Sequence, residues 1–164
     1  MKYIKLNKGQ TAIIDDEDFE YLSQFKWHAD FMKNTQSFRA VRNNWINGKN
    51  SHVKMHREIM GNPTGKQIDH INHNSLDNRK VNLRIVTGSQ NQMNRKIQKN
   101  NTSGYPGISF HKPTNSWNPT IKVNNKVISL KYFKTLSDAI EVRRAAEEKY
   151  FGEYKYQGSY SPFK

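Results

Sequence analysis

The 164-residue chain contains no cysteine, so neither disulfides nor thiolate zinc sites can staple it, and its stability must come from burial. Acids are scarce too: 14 Asp and Glu stand against 27 Lys and Arg, a formal net charge of +13. That imbalance implies a polyanionic partner, because such charge draws a protein to nucleic acid by counterion release without conferring sequence choice. Aliphatic residues are few. At 34% hydrophobic and 12% aromatic, the chain leans on Trp27, Trp45, Trp117 and its Tyr and Phe residues for core material. Small modules are expected rather than one large core, since a chain of this size buries only about two-thirds of its unfolded surface. No apolar run approaches the roughly 20 residues needed to cross a bilayer, and no basic amphipathic helix stands out. The opening Met1-Lys2-Tyr3-Ile4-Lys5-Leu6 alternates like a strand and lacks the apolar segment of a secretory leader, so a cytoplasmic location and no membrane partner are expected.

Periodicity divides the chain into an α+β arrangement of three modules. Residues 1–50 read as a small β-rich piece: strands near 2–6 and 10–14, a short helix through Leu22 opened by the acids Asp15 to Asp18, and an alternating strand at Phe38 to Arg42. Arg39 and Arg42 on that strand are candidate phosphate contacts, against the plainer reading of a solvated face. Residues 51–97 read as a helix at His56 to Met60, a turn over Asn62 to Gly65, a strand into Asp69, a loop, a strand at Leu83 to Val86 and a further helix. Residues 98–104 are polar and unperiodic and read as a linker. Residues 105–154 predict three short strands and a helix. Thr135 and Asp138 have capping-box spacing there, Ala139, Val142, Ala146 and Tyr150 share one face, and Gly152 is the stop. Residues 155–164 are a tail.

The chemistry concentrates in the second segment. Asp69-His70 is followed by Asn72, His73, Asn74 and Asn78, then by Asn82, Arg84 and Asn91. A histidine beside a carboxylate can take a proton from water near neutral pH, and a carboxylate with a side-chain amide offers hard oxygen ligands to Mg²⁺. Cleavage of a phosphodiester fits that inventory. Turn chemistry alone accounts for Asn72, His73, Asn74 and Asn78, because Asn bonds its own backbone and tolerates left-handed conformations. His56 opens a short helix, where packing and a place near the site are equally good readings.

Val53 to Met60, Asp69-His70-Ile71-Asn72, Leu76-Asp77-Asn78, Asn82 to Thr87 and Gln90 to Asn94 together resemble an HNH endonuclease of the phage and homing type. The resemblance implies a ββα-metal motif with one divalent ion per chain, Mg²⁺ or Mn²⁺. It implies Asp69 and Asn91 as metal ligands, His70 as general base, and Asn82 as the asparagine that braces the base-bearing loop. Arg57, Arg84 and Arg95 are alternative phosphate clamps, and the sequence does not choose among them. Double-stranded DNA is the implied substrate. One site per chain implies nicking unless two chains meet on the duplex.

Residues 103–154 resemble the Apetala-type, or ethylene-responsive-factor type, DNA-binding domain, through Gly104 to Ile108, Trp117, Tyr132 to Thr135, and Ala145-Ala146 up to Tyr150-Phe151-Gly152. Where that family often has Trp-Arg-Ala, this chain has Trp117-Asn118-Pro119. Alternation still leaves Asn118, Thr120 and Lys122 on one strand face. His111, Lys112, Asn118, Lys122 and Lys131 are the candidate DNA contacts. Two other readings stay open: a non-catalytic DNA-binding regulator with a degenerate nuclease segment, and an RNA-binding structural protein.

Overall fold

A computed structural model describes residues 1–97, 100–156 and 158. Contacts divide the chain into two units, Met1–Gly88 and Ser89–Lys164. The arrangement mixes helix and strand, consistent with α+β. Among the described residues no helix is long and apolar enough to cross a membrane.

In the first unit β1 (Lys2–Lys5) and β2 (Thr11–Ile14) pair antiparallel, and α1 (Asp16–Leu22) follows. The strands β3 (His28–Met32), β4 (Ser37–Ile46) and β5 (Lys49–Lys54) form a sheet in that order. Next come α2 (Met55–Ile59) and an antiparallel pair, β6 (Gln67–His70) and β7 (Leu83–Val86). One core holds Ile4, Ala12, Ile14, Leu22, Trp27, Ala40 and Met55, with Val53, Ile59 and Leu76 packed on it.

The expected boundary at residue 50 therefore falls inside β5, and the core draws residues from both sides of it. Backbone bonds join the two halves as well. Ile13 N–H donates to Leu76 O at 2.8 Å, and Asn78 N–H donates to Ile13 O at 2.8 Å. Asp15, at the head of α1, makes no side-chain bond to that helix; its carboxylate accepts from Lys80 N–H at 2.7 Å. A 50-residue piece this poor in aliphatics buries too little surface to stand alone, and it shares its core with the segment that follows.

The division of the chain falls within α3 (Gly88–Met93), whose Met93 packs with Ile121, Ala146 and Phe151 of the second unit. That unit is a meander of β8 (Ile108–His111), β9 (Ser116–Val123) and β10 (Lys126–Ser129), with α4 (Leu136–Phe151) packed on β9 and β8. Thr135 caps α4 by accepting from Asp138 N–H at 3.1 Å. The buried face of α4 is Ala139, Arg143, Ala146, Glu147 and Phe151, whereas Tyr150 is exposed. It is rotated from the expected face because a polar cluster goes inside: Arg143 pairs with Glu147 at 3.1 Å, and the Tyr105 hydroxyl donates to Glu147 at 3.0 Å. Gly107 sits at φ +73°, and a Cβ there would lie 2.5 Å from Thr120 O. Part of the expected linker is packed: Ser103 is buried, and its hydroxyl donates to Tyr105 O at 2.8 Å. Residues 98 and 99 of that linker, and 157 and 159–164 of the expected tail, lie outside the described residues.

Candidate active site

The antiparallel register of β6 and β7 sets Asp69 opposite Arg84 and His70 opposite Leu83. Cross-strand partners share a face, so the acid and the guanidinium meet directly. Arg84 donates to Asp69 Oδ2 through Nε at 2.9 Å and Nη2 at 2.8 Å, and both side chains are largely buried. Of the three candidate phosphate clamps, Arg84 is thus bound to the acid. Arg57 donates to Lys66 O at 3.2 Å and Pro63 O at 2.8 Å, which ties α2 to the turn before β6. Arg95 is exposed and belongs to the second unit.

His70 ends β6 and is buried. Its Nε2 lies 3.3 Å from Asn78 Oδ1. The Asn78 amide donates from Nδ2 to Leu76 O at 3.2 Å and to Met55 Sδ at 3.6 Å, so its oxygen faces the ring. In the neutral imidazole that oxygen accepts from Nε2–H, which leaves Nδ1 as the basic nitrogen. Burial pushes the His70 pKa below its usual value, against the opposing pull of Asn78, Asp69 and Asp77. A histidine kept neutral is one that can accept a proton. The His56 ring, on α2, stands edge-on to the His70 ring with centroids 5.1 Å apart. Desolvation, helped by the neighbouring charges of His70, Lys54, Arg39 and Arg57, takes the His56 pKa down to about 3.

Asn82 holds the loop between the two strands. Its Oδ1 accepts from Asn72 N–H at 3.0 Å, its Nδ2 donates to Asp77 O at 2.8 Å, and its own carbonyl accepts from Ile71 N–H at 2.9 Å. Within the loop Asn72 Oδ1 accepts from Asn74 N–H at 2.8 Å and Asn74 Oδ1 from Leu76 N–H at 3.1 Å, the local turn bonding expected of these residues. Asp77 is buried beneath them. It accepts from Asn72 Nδ2 at 2.9 Å and from Arg79 Nε and Nη2, each at 2.7 Å. The Arg79 bonds, with Asn72 adding to them, hold its carboxyl below the usual range despite burial.

The sequence accounts for Asn78 by turn chemistry and counts it in the Leu76-Asp77-Asn78 run of the resemblance; the structure buries it fully against His70. Asp77 and Arg79 had no expected role. The Leu76-Asp77-Asn78 run carried the signal, but only the fold shows that Asp77 faces the loop and Asn78 faces the ring. Arg39 and Arg42 are committed elsewhere: Arg39 pairs with Asp30 at 2.7 Å and Arg42 with Glu58 at 2.8 Å. The second pair, with the Tyr21 hydroxyl donating to Glu58 at 2.8 Å, anchors the helix that carries His56.

Asn91 lies half-buried on α3, on the second-unit side of the division, while Asp69, His70, Asn82 and Arg84 gather in the first unit. Among the described residues there is no group of three or more His, Cys, Asp or Glu that could hold a metal ion. The sheet candidates also separate. Asn118 and Lys122 share the β9 face turned away from α4, where the Ser129 hydroxyl donates to Asn118 Oδ1 at 3.0 Å. His111, at the end of β8, pairs with Ser116 on the same face, and its Nδ1 lies 2.8 Å from Thr114 Oγ1. Lys112 and Lys131 are exposed beyond the strand ends, Lys131 at φ +76°.

A buried acid and histidine at a strand end, facing a loop tied by asparagine, is the arrangement that comparison with known proteins bears upon. Residues 51–93 match the HNH endonuclease family model. Two curated relatives carry the likeness further. Protein 3.8 of Escherichia phage T7 is 39% identical over 64 residues, covering 39% of this chain and 53% of that protein. The Uncharacterized HNH endonuclease L560 of Acanthamoeba polyphaga mimivirus is 28% identical over 153 residues, covering 90% of this chain and 74% of that protein. The match thus spans about half the length of the phage protein and three-quarters of the mimivirus one. No solved structure matches.

Proposed function

We propose that the chain is a metal-dependent DNA endonuclease of the HNH type, with His70 as general base. The observation that carries the reading is His70 itself: a buried imidazole, held below its usual pKa by burial, whose Nε2 faces the Asn78 amide oxygen, which makes Nδ1 the basic nitrogen. Nδ1 takes a proton from the water that attacks phosphorus, and the bond to the 3′ oxygen breaks as the new bond forms. Asn82 does not touch the reacting atoms in this scheme; it fixes the Ile71 to Asp77 loop and thereby the ring at its base.

The donor set fits a hard divalent ion. The resemblance assigns Asp69 and Asn91 as its ligands, and the Asp69 carboxylate is the hard oxygen donor that the first unit would supply to Mg²⁺ or Mn²⁺. When bound, such an ion supplies Lewis-acid stabilisation of charge on the scissile phosphate. The polar face of the second unit's sheet, with His111, Asn118 and Lys122, and the exposed Lys112 and Lys131 beside it, is the proposed reader of duplex sequence. The Apetala-type likeness of residues 103–154 and a net charge of +13 support it. The implied partner is double-stranded DNA.

One feature favours a second reading. Arg84 occupies Asp69 Oδ2 with two bonds, which suits a DNA-binding protein whose nuclease segment no longer takes a metal. Nicking of supercoiled plasmid with Mg²⁺ and with excess chelator separates the two. Conversion to open circle only with the ion is the expected result, and DNA binding without cleavage under either condition would support the regulator.

A further inference from the structure

Beyond Val41, the last residue of β4 that β3 pairs, the strands β4 and β5 continue alone from Arg42↔Val53 to Ile46↔Lys49. Five residue pairs at about 3.4 Å each make a two-stranded ribbon roughly 17 Å long. Its tip is an Asn47-Gly48 turn with φ of 51° and 73°, the left-handed pair that a tight hairpin requires. A ribbon without a third strand or a covering helix adds little stability by itself. This one nonetheless carries Trp45 at 68% and Ile46 at 57% exposure.

The register sorts its side chains. Asn43, Trp45, Asn50 and His52 occupy one face, and Asn44, Ile46, Lys49 and Ser51 the other. The two large apolar side chains are thus on opposite faces, each flanked by amides, and make no continuous patch of the sort a protein partner would cover. From Phe31 to Arg57 there is no Asp or Glu, while Lys33, Arg39, Arg42, Lys49, Lys54 and Arg57 are basic. Lys49, at the tip, therefore has no acid on the ribbon to oppose it.

We propose that this ribbon is a second DNA-contacting element, in the nuclease unit itself, and that it enters a groove of the duplex with the Asn43, Trp45, Asn50 and His52 face toward the bases. The inference rests on the reading of the chain as a protein that acts on DNA. The major groove admits a two-stranded ribbon, Asn side chains pair with adenine edges, and an exposed indole packs against bases or sugars at little entropic cost. Arg39 and Arg42, the cations the sequence marks on β4, lie at its base and are bound to carboxylates. Recognition by the ribbon would thus be by amides and the indole, with few phosphate contacts.

The test uses the full chain in His70→Ala background, a plasmid-derived duplex, an RNA duplex of matching sequence, and fluorescence anisotropy at two salt concentrations. Trp45→Ala should weaken duplex DNA binding about tenfold, and Asn50→Ala with His52→Ala similarly, with the salt slope little changed. The urea midpoint should stay at the parent value, because none of these side chains is buried. Unchanged DNA affinity in both variants overturns the proposal. So does loss of self-association alone by analytical ultracentrifugation, which would assign the ribbon to a second copy, or an effect confined to RNA. Plasmid nicking by the same substitutions with His70 intact separates the two claims. A chain that binds through Trp45 but never nicks refutes the nuclease reading and leaves the ribbon standing.

Discussion

The imidazoles of His56 and His70 meet edge to face, 5.1 Å apart and at 85°, joining α2 to the end of β6. Both rings are depressed below the ordinary histidine value by burial first, and His56 reaches about 3. Charging His56 would place a positive charge in a desolvated position beside the His70 ring and near Lys54, Arg39 and Arg57.

A stability prediction follows from His56. In the unfolded chain it titrates near the ordinary histidine value of 6.5, and in the folded chain burial takes it down to about 3. Between those values the unfolded state binds the extra proton, so folding stability is full above 6.5 and falls as pH drops through that window, by up to about 1.4 kcal/mol per unit. His56→Gln, which cannot charge, should flatten this dependence in urea titrations at pH 7 and pH 5. An equal loss of stability in the variant would place the acid sensitivity elsewhere.

Asn82→Ala should cost about 2 kcal/mol, because it leaves the Asp77 carbonyl, bonded in a buried position, and the partly buried Asn72 N–H without their partner. Asn82→Asp keeps the acceptor and loses the donor, so its cost should be smaller. For both, kcat should fall further than KM rises, as the loop below His70 loosens while the duplex contacts remain. A pure rise in KM would make Asn82 a DNA-binding residue.

The metal site has a readout that needs no catalysis. Mg²⁺ or Mn²⁺ should raise the thermal midpoint of the wild-type chain by mass action on the folded state. Asp69→Asn should abolish that rise and Asn91→Ala should weaken it, with partial recovery at high metal. Arg84→Met leaves a buried carboxylate uncompensated, at about 3–5 kcal/mol, and part of this loss should return with metal. An ion-independent midpoint in the wild type, or the same rise in Asp69→Asn, would remove Asp69 from the ligand set.

Much of the segment 51–93 is legible in the residues because its signals are local. β7 spans the expected Leu83–Val86, β6 carries the expected Asp69 and runs one residue further to His70, and α4 begins after Thr135 with the capping bond the spacing implies. What fails is non-local. Nothing within a window of a dozen residues shows that Ile13 pairs with Asp77 or that Met55 shares a core with Ile4, so a boundary read from composition at residue 50 cuts through a strand. The same limit hid Asn78: its turn propensity is visible in sequence, but its contact with His70 depends on Met55 and Leu76 fixing the amide. The face of α4 differs from the expected one because Arg143 and Glu147 are buried as an ion pair, with Glu147 also accepting from Tyr105 and Arg143 donating to the Pro106 carbonyl. Met93, packed with Phe151, likewise places the end of α3 with the second unit.

The central claim is that His70 is the base. Single-turnover nicking of supercoiled plasmid by wild type and His70→Ala, at saturating Mg²⁺ and protein, tests it most directly, with duplex affinity measured on the same preparations. The account predicts that cleavage falls by a factor of about 10² or more while affinity stays near wild type, since the base acts on water and not on the duplex. Cleavage that survives the substitution, or binding and cleavage lost in equal measure, would contradict it.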